Sequence, residues 1–156
     1  MTLAASRYDV GAARRWAMLG ASTLAQAATA VMVHGPAFLI PTLHAQGMSL
    51  TEAGLVAAAP TLGVMLTLVA WGAVTDRRGE RFVLLCGLGV TTVAGAAGAL
   101  TDGTGRLVAA LFLAGAGAAS TNAASGRVVV GWFPPLRRGL AMGVRQMAQP
   151  AGVGVA

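Results

Sequence analysis

Lysine is absent from this sequence of 156 residues, and charged residues of every kind make up only 10% of it. Soluble domains carry about 25% charged residues, so the composition argues against a soluble globular protein. The single cysteine, Cys86, excludes an internal disulfide framework and a zinc site built on paired cysteines. Disorder is excluded because 56% of the residues are hydrophobic and the mean hydropathy is +0.70.

Signatures of enzymes and of nucleotide binding are also missing. The sequence has no GxxxxGK[ST] phosphate-binding loop, so we do not expect ATP-driven transport by this chain. It has no HExxH and no GxSxG motif, and its apolar stretches contain Asp or Glu only at their ends. We therefore predict that the protein is not an enzyme and uses no cofactor and no metal.

What the sequence does contain is arginine, which gives a net charge of +6 and a pI near 11.6. Such a balance is typical of nucleic-acid binding, but the arginines here lie in short clusters between long apolar runs. That pattern marks the cytoplasmic loops of membrane proteins. We predict that the partner is a lipid bilayer and that there is no nucleic-acid partner.

Five apolar stretches reach or approach the roughly 20 residues that a helix needs to cross a bilayer core. Their connections are short, so consecutive helices should be antiparallel neighbours. The predicted fold is therefore all-α, a polytopic bundle of transmembrane helices. The last stretch is still apolar at Ala156, which is typical of an N-terminal fragment of a longer protein. The predicted spans, after an N-terminal segment 1–15, are residues 16–40, 53–74, 82–100, 107–132 and 139–156.

The positions of the arginines predict the orientation. The first and third connections have only Arg106, at an edge, whereas the N-terminal segment and the other two connections hold eight arginines. The positive-inside rule then places the N-terminus in the cytoplasm of a multi-pass protein of the inner (plasma) membrane. The eight are Arg7, Arg14, Arg15, Arg77, Arg78, Arg81, Arg137 and Arg138.

The second connection has an ordered motif, G-x-x-x-D-R-x-G-x-R, which runs from Gly72 to Arg81. Gly72 is predicted to let two helices approach closely, and Gly79 to take a left-handed turn conformation. Asp76 ends a helix, where it can pair with an arginine or face another helix N-terminus. A solvated cytoplasmic loop is the simpler interpretation, but this specific order favours a defined role.

This order resembles the loop between the second and third helices of the major facilitator superfamily of secondary transporters. Residues 132–143 look like the family's junction of helices 4 and 5, and residues 143–152 resemble its Gly/Pro-rich fifth helix. The resemblance implies the first five helices, most of the N-terminal half of the fold, with the remaining C-terminal helices as partner. It also implies alternating-access transport of a small-molecule substrate. The gating motif it implies comprises Gly72, Asp76, Arg77, Gly79 and Arg81.

Two positions depart from the family pattern. Glu80 stands where the motif usually has a basic residue, and we expect it to pair with a neighbouring arginine. The family's fourth helix often has an arginine four residues before a glycine. Aligning that glycine with Gly115 puts Leu111 at the arginine position, which argues against a proton antiporter.

Polar residues inside the spans are the candidate substrate-binding residues, because a charge at the bilayer centre costs roughly 2.5–3.5 kcal/mol. Arg145 and Gln149 form an i, i+4 pair that suits an anionic substrate; the alternative is that Arg145 snorkels to the cytoplasmic interface. His34 precedes Gly35-Pro36, which should break or kink the helix, and Gln26 lies on roughly the same face. His34 either binds substrate, caps a freed carbonyl or lies at the outer interface.

The fourth span adds Asn122, whose side chain needs a partner, within a polar patch that includes Ser125. Arg127 lies nearer the cytoplasmic end, and an ion pair with Asp76 or Glu80 is favoured over substrate binding. The predicted function is transport of a small molecule, with an organic anion as the suggested substrate. The alternative is a small, non-transporting scaffold of four or five helices. A channel would need a half-membrane loop or a ring of like charges, which the sequence does not show.

Overall fold

The computed structural model describes residues 11–156, and this part of the chain is helical with no strand. Four segments are long and apolar enough to cross a membrane, and the first of them combines two consecutive helices. The predicted all-α transmembrane bundle is confirmed. Of the predicted N-terminal segment, residues 1–10, including Arg7, lie outside the described residues. The helices are α1 (Ala12–Phe38), α2 (Ile40–Ala45), α3 (Leu50–Arg78), α4 (Glu80–Ala99), α5 (Thr104–Trp132), α6 (Pro135–Gln146) and α7 (Ala148–Val155).

Capping residues place the ends of α3 outside its predicted apolar span, residues 53–74. Ser49 Oγ accepts from the backbone N–H of Glu52, and the Glu52 carboxylate accepts from the backbone N–H of Ser49 at 3.0 Å. This reciprocal capping box satisfies two donors at the helix start, so α3 begins at Leu50 rather than near residue 53. At the other end, Gly79 separates α3 from α4 with φ of +82° and ψ of 166°, an extended backbone conformation at positive φ that glycine adopts readily.

Pro36 does not break α1. The helix continues through it to Phe38, and the N–H of Leu39 donates to the Pro36 carbonyl at 3.2 Å. Because Pro36 lies within the last turn, few helical residues follow the hydrogen bond that it removes. Of the predicted break or kink at Gly35-Pro36, the break therefore does not occur at Pro36.

The fifth predicted segment consists of two helices, α6 and α7, joined at Met147. Pro135 starts α6 in the first-turn position, where its missing N–H costs nothing, so the helix begins before residue 139. Pro150 lacks the N–H that would bond to the carbonyl of Gln146, and its ring crowds that carbonyl. The helix is interrupted at Met147, directly after the Gln146 carbonyl whose helical hydrogen bond is missing.

The central helix is α5, which packs on α1, α3 and α4. Its buried face is made of small residues, and Gly115 lies directly against the backbone of Pro60 in α3, where a Cβ atom would overlap the carbonyl oxygen. Gly152 in α7 meets the backbone of Ala27 in α1 in the same way. Such small-residue contacts bring helix backbones together in membranes, where the hydrophobic effect does not drive helix association.

The close approach predicted at Gly72 is absent, since a Cβ atom there would meet nothing within 4 Å. The α3 and α5 backbones meet earlier, at Gly63 and Gly115. Closer to the α3–α4 connection, the Trp71 indole lies between the helices and donates to the carbonyl of Ala116 at 2.6 Å. Among residues 11–156, the close approach of α3 and α5 therefore lies at Gly63 and Gly115 rather than at the predicted Gly72.

Candidate functional site

A cavity of about 150 Å³ lies between α1, α3, α5 and α7. Four of the five candidate substrate-binding residues line it, although they come from three different helices: Gln26, His34, Asn122 and Gln149. We call it the polar cavity. Its other lining residues are Thr29, Ala30, Val33, Thr61, Val64 and Ala118.

Gln26 and Asn122 form one end of the polar cavity. Gln26 is only 3% exposed and lies near the middle of α1, and its Nε2 donates to Asn122 Oδ1 at 3.0 Å. The Asn122 amide nitrogen has no hydrogen-bond acceptor among residues 11–156. An amide group with a free donor is therefore available at the cavity wall.

His34 and Gln149 form the other end. His34 follows Gln26 by eight residues, which is about 12 Å along a helix at a rise of about 1.5 Å per residue. Its Nε2 lies 3.5 Å from Gln149 Nε2, so the amide donates if the imidazole nitrogen is unprotonated. His34 therefore lies in the wall of the polar cavity.

Two threonines of the polar cavity were missed by the sequence analysis. Thr29 Oγ1 lies 2.9 Å from Thr121 Oγ1, which ties α1 to α5 one turn beyond Gln26. Thr61 lines the cavity from α3, directly after Pro60. Thr29 could have been predicted as a cavity residue because it follows Gln26 by three residues, which puts both on one helix face.

Arg145 does not line the polar cavity but lies directly behind its Asn122 end. Its Nε donates to Ser125 Oγ at 2.8 Å, and one terminal nitrogen lies 3.3 Å from the Asn122 carbonyl oxygen. The other terminal nitrogen donates to Gln146 Oε1 at 2.9 Å and approaches Met142 Sδ. The guanidinium thus reaches into the bundle rather than back towards Arg137 and Arg138 at the start of α6.

The charge of Arg145 has no carboxylate partner within the described part of the chain. All its hydrogen-bond acceptors are neutral. The polar cavity has no acidic residue in its wall either. A half-buried positive charge next to a cavity without acidic groups favours binding of negative charge.

The second group of candidate residues lies at the α3–α4 connection. Arg127 of α5 forms an ion pair with Asp76 of α3, as preferred from the sequence. Both side chains are at least half exposed, at 50% and 61%. Arg77 and Arg81, on either side of Gly79, are exposed. The motif therefore presents several positive charges and one charge pair that connects two helices.

Among residues 11–156, Glu80 pairs with no arginine, and its carboxylate accepts a hydrogen bond from the Trp132 indole at 3.1 Å. The start of α4 faces the end of α5, so Trp132 is the donor within reach. The adjacent Arg78 stacks over the Phe82 ring at 5.1 Å. The prediction of a Glu80–arginine pair was wrong for this reason.

Leu111 is 8% exposed and belongs to an apolar cluster with Val56 and Ala59 of α3. An arginine there would be buried among aliphatic side chains without a partner. Within residues 11–156 no group of His, Cys, Asp or Glu could hold a metal ion.

Comparison with known proteins identifies relatives along almost the whole chain. The family model of the Major Facilitator Superfamily matches residues 14–156. Two relatives from different strains of Mycobacterium tuberculosis, each named an uncharacterized transporter of this type, are 44% identical over 149 residues. The match covers 95% of this chain and 34% of each relative, so the chain spans about a third of their length.

A more distant relative has a name that specifies a substrate. The hexuronate transporter of Bacillus subtilis is 29% identical over 105 residues, which covers 67% of this chain and 25% of the relative. All three relatives are thus named as transporters, and the name of the third specifies a substrate.

Proposed function

The chain belongs to the Major Facilitator Superfamily, and from this premise we propose that it forms part of a secondary transporter for a small organic anion. The observation that carries the proposal is the polar cavity, where residues from α1, α5 and α7 converge in front of the Arg145 charge. Small-molecule sites are typically concave, mostly apolar and fitted with a few convergent polar groups.

The preference for an anion follows from the charges. Arg145 is held inside the bundle by neutral groups only, and the wall of the polar cavity offers hydrogen-bond donors from Asn122 and Gln149. A carboxylate in the cavity would offset the buried charge and accept these donors. The hexuronate transporter among the relatives supports this choice, because a hexuronate is a sugar with a carboxylate.

Transport would proceed by alternating access, in which two helix bundles rock about a site between them. The Asp76–Arg127 pair connects α3 to α5 at one end of the bundle, where it would hold one state of the cycle closed. An exposed pair contributes about 0.2–1 kcal/mol, which is enough to bias an equilibrium between two states without preventing exchange.

The transporter would need helices beyond these. The matched relatives from Mycobacterium tuberculosis are about three times as long as the chain. Alternating access needs two bundles, whereas α1 to α7 form a single bundle around α5. We therefore propose that the chain acts together with further C-terminal helices, which would close the polar cavity from the side facing them.

The proposed location is the inner (plasma) membrane with the N-terminus in the cytoplasm. The α3–α4 connection and the start of α6 hold arginines, whereas the α4–α5 connection has only Arg106 at its edge. This asymmetry supports the orientation by the positive-inside rule. The non-transporting scaffold is not favoured, since the matched relatives are named as transporters.

The test is uptake of radiolabelled D-glucuronate, a hexuronate, by the complete protein in proteoliposomes. We expect saturable uptake that excess unlabelled galacturonate inhibits and that glucose, which lacks the carboxylate, does not. Protein-free liposomes provide the background rate. Saturable transport of neutral or cationic sugars with no effect of acidic ones would overturn the anion proposal, and failure to exchange any of these solutes would count against both transport and substrate class.

A further inference from the structure

A chain of hydrogen bonds with a fixed direction runs from Arg145 to the polar cavity. The arginine side chain has five N–H donors and no acceptor, so it is the donor in each of its hydrogen bonds. Ser125 Oγ therefore accepts from Arg145 Nε at 2.8 Å. Ser125 is completely buried, and its hydroxyl proton is directed to an acceptor within the protein, as in most buried polar groups.

The next step passes from Ser125 to Gln26. The Ser125 hydroxyl donates to Gln26 Oε1 at 3.4 Å. A hydroxyl that accepts from a cationic donor becomes a better donor itself, because hydrogen bonds in a chain polarise one another. The arginine therefore favours the amide orientation in which Gln26 Oε1 faces Ser125 and Gln26 Nε2 faces away.

The last step reaches the cavity wall. With its oxygen turned towards Ser125, Gln26 offers Nε2 to Asn122, whose Oδ1 accepts at 3.0 Å. Since Oδ1 is used in this bond, the Asn122 Nδ2 group is the half of the amide that remains free. If Gln26 were flipped, Asn122 would have to flip too, and it would present an oxygen instead.

We propose that Arg145 is a positioning residue which, through Ser125 and Gln26, keeps Asn122 Nδ2 as a hydrogen-bond donor for an oxygen of the transported anion. This inference rests on the proposed function and makes it more specific. The carboxylate would bind at the Asn122 end of the cavity, and its contact would be with an amide rather than with the guanidinium.

The arrangement explains why all acceptors of Arg145 are neutral. A guanidinium paired directly with a substrate carboxylate would hold it bidentately and strongly. A substrate bound to the Asn122 amide forms no direct ion pair. It is still stabilised electrostatically by the positive charge of Arg145 behind the cavity wall. Transport requires that binding at the site be reversible on each side, which suits this weaker contact.

The first arm of the test measures D-glucuronate uptake by the complete protein in proteoliposomes. Ser125→Ala and Arg145→Gln should each raise KM about tenfold or more with little change in kcat, the size expected when a hydrogen bond to a charged group is weakened. The double variant should be no worse than the more impaired single variant, because both act through one chain. Effects of the two substitutions that multiply, or an unchanged KM in Ser125→Ala, would overturn the proposal.

Ser120→Ala is the matched control. Ser120 lies five residues earlier on the same helix and is equally buried, but its hydroxyl has no hydrogen-bond partner among residues 11–156. Loss of a buried hydroxyl in general would affect both serine variants alike. Only the proposed chain predicts that KM rises in Ser125→Ala and stays at the wild-type value in Ser120→Ala.

The second arm does not depend on transport. The side-chain amide of Asn122 can be followed by NMR in the complete protein labelled with 15N-asparagine, where its signal is assigned by its loss in Asn122→Leu. Ser125→Ala and Arg145→Gln should shift this signal and speed its exchange with water, whereas Ser120→Ala should not.

The two arms separate the failures. If wild-type protein does not take up glucuronate but the Asn122 signal responds as described, the positioning chain stands and the proposed substrate class is wrong. If uptake is saturable but the Asn122 NMR signal is unchanged in Ser125→Ala, the positioning chain is wrong and the proposed function stands.

Discussion

Asp76, near the end of α3, forms an ion pair with Arg127, in the last part of α5, across 51 positions of the sequence. The two helices already meet through Gly63 and Gly115 further inside the bundle. The ion pair thus adds a charged contact at the loop end of an interface whose other polar contacts, such as that of Trp71 with the Ala116 carbonyl, are neutral. It is available for breaking and re-forming, because both side chains reach solvent.

We expect Asp76→Asn to slow transport by the complete protein more than it reduces its amount in the membrane. An exposed pair contributes about 0–1 kcal/mol to stability, so folding should be nearly normal, while the gating equilibrium loses its bias. Initial uptake rates at matched protein levels are the measurement. Asp102→Asn, an exposed carboxylate in the α4–α5 connection, is the control and should transport normally. Normal turnover in Asp76→Asn would contradict a gating role.

A charge exchange tests the pair itself. The double variant Asp76→Arg with Arg127→Asp should recover part of the rate lost in either single variant, because attraction between the two positions is restored. If the double variant is slower than both singles, the two residues act through other partners.

Two glycines of α4 provide a matched test of the packing. A Cβ atom at Gly87 would overlap the side chain of Ser120 in α5, whereas one at Gly89 would meet nothing within 4 Å. Overpacking typically costs about 1–3 kcal/mol, so Gly87→Ala should lower the unfolding temperature in detergent. Gly89→Ala should leave it unchanged or raise it, since alanine is favoured over glycine in helices by roughly 0.5–1 kcal/mol. Equal effects of both substitutions would contradict the close α4–α5 contact.

The fold was predictable from the sequence because a bilayer imposes a simple rule on apolar length. The apolar runs located the centres of α1, α3, α4 and α5, but the ends depend on local caps such as Ser49 with Glu52. Pro150 in the fifth predicted span frees a backbone carbonyl and can kink a helix, but apolar content alone does not show that the interruption lies at Met147.

The candidate site was predictable only as a set of separate polar residues. Gln26 and His34 share a face of α1, so their proximity follows from helix periodicity. That Asn122 and Gln149 join them depends on the order of helices in the bundle, which spacing along the chain does not reveal. The location of Arg145 behind the cavity depends on its side-chain conformation, which brings Nε to Ser125.

Arg145→Lys should weaken D-glucuronate binding by the complete protein, and Arg145→Gln should weaken it further. Lysine keeps the charge, but a single ammonium cannot reproduce guanidinium contacts that reach Ser125, the Asn122 carbonyl and Gln146 in three directions. The measurement is apparent affinity from uptake kinetics. The exposed Arg137 is the control, and Arg137→Gln should bind as the wild type does. Unchanged affinity in Arg145→Gln would remove the case for an anion at this end of the cavity.

Residues 1–156 alone should not transport D-glucuronate. The polar cavity is built on one bundle, and alternating access requires a second bundle against which the first can rock. Without it, the cavity faces one direction at all times, and any solute bound there returns to the side from which it came.

Proteoliposomes containing only these residues should therefore show the background rate of protein-free liposomes, while those containing the complete protein show saturable uptake under identical conditions. The 156 residues must first be shown to be helical in the bilayer by circular dichroism, so that a negative result reflects mechanism rather than misfolding. Saturable uptake by residues 1–156, inhibited by unlabelled galacturonate, would mean that this bundle opens to both sides without further helices, and the two-bundle mechanism would have to be abandoned for this protein.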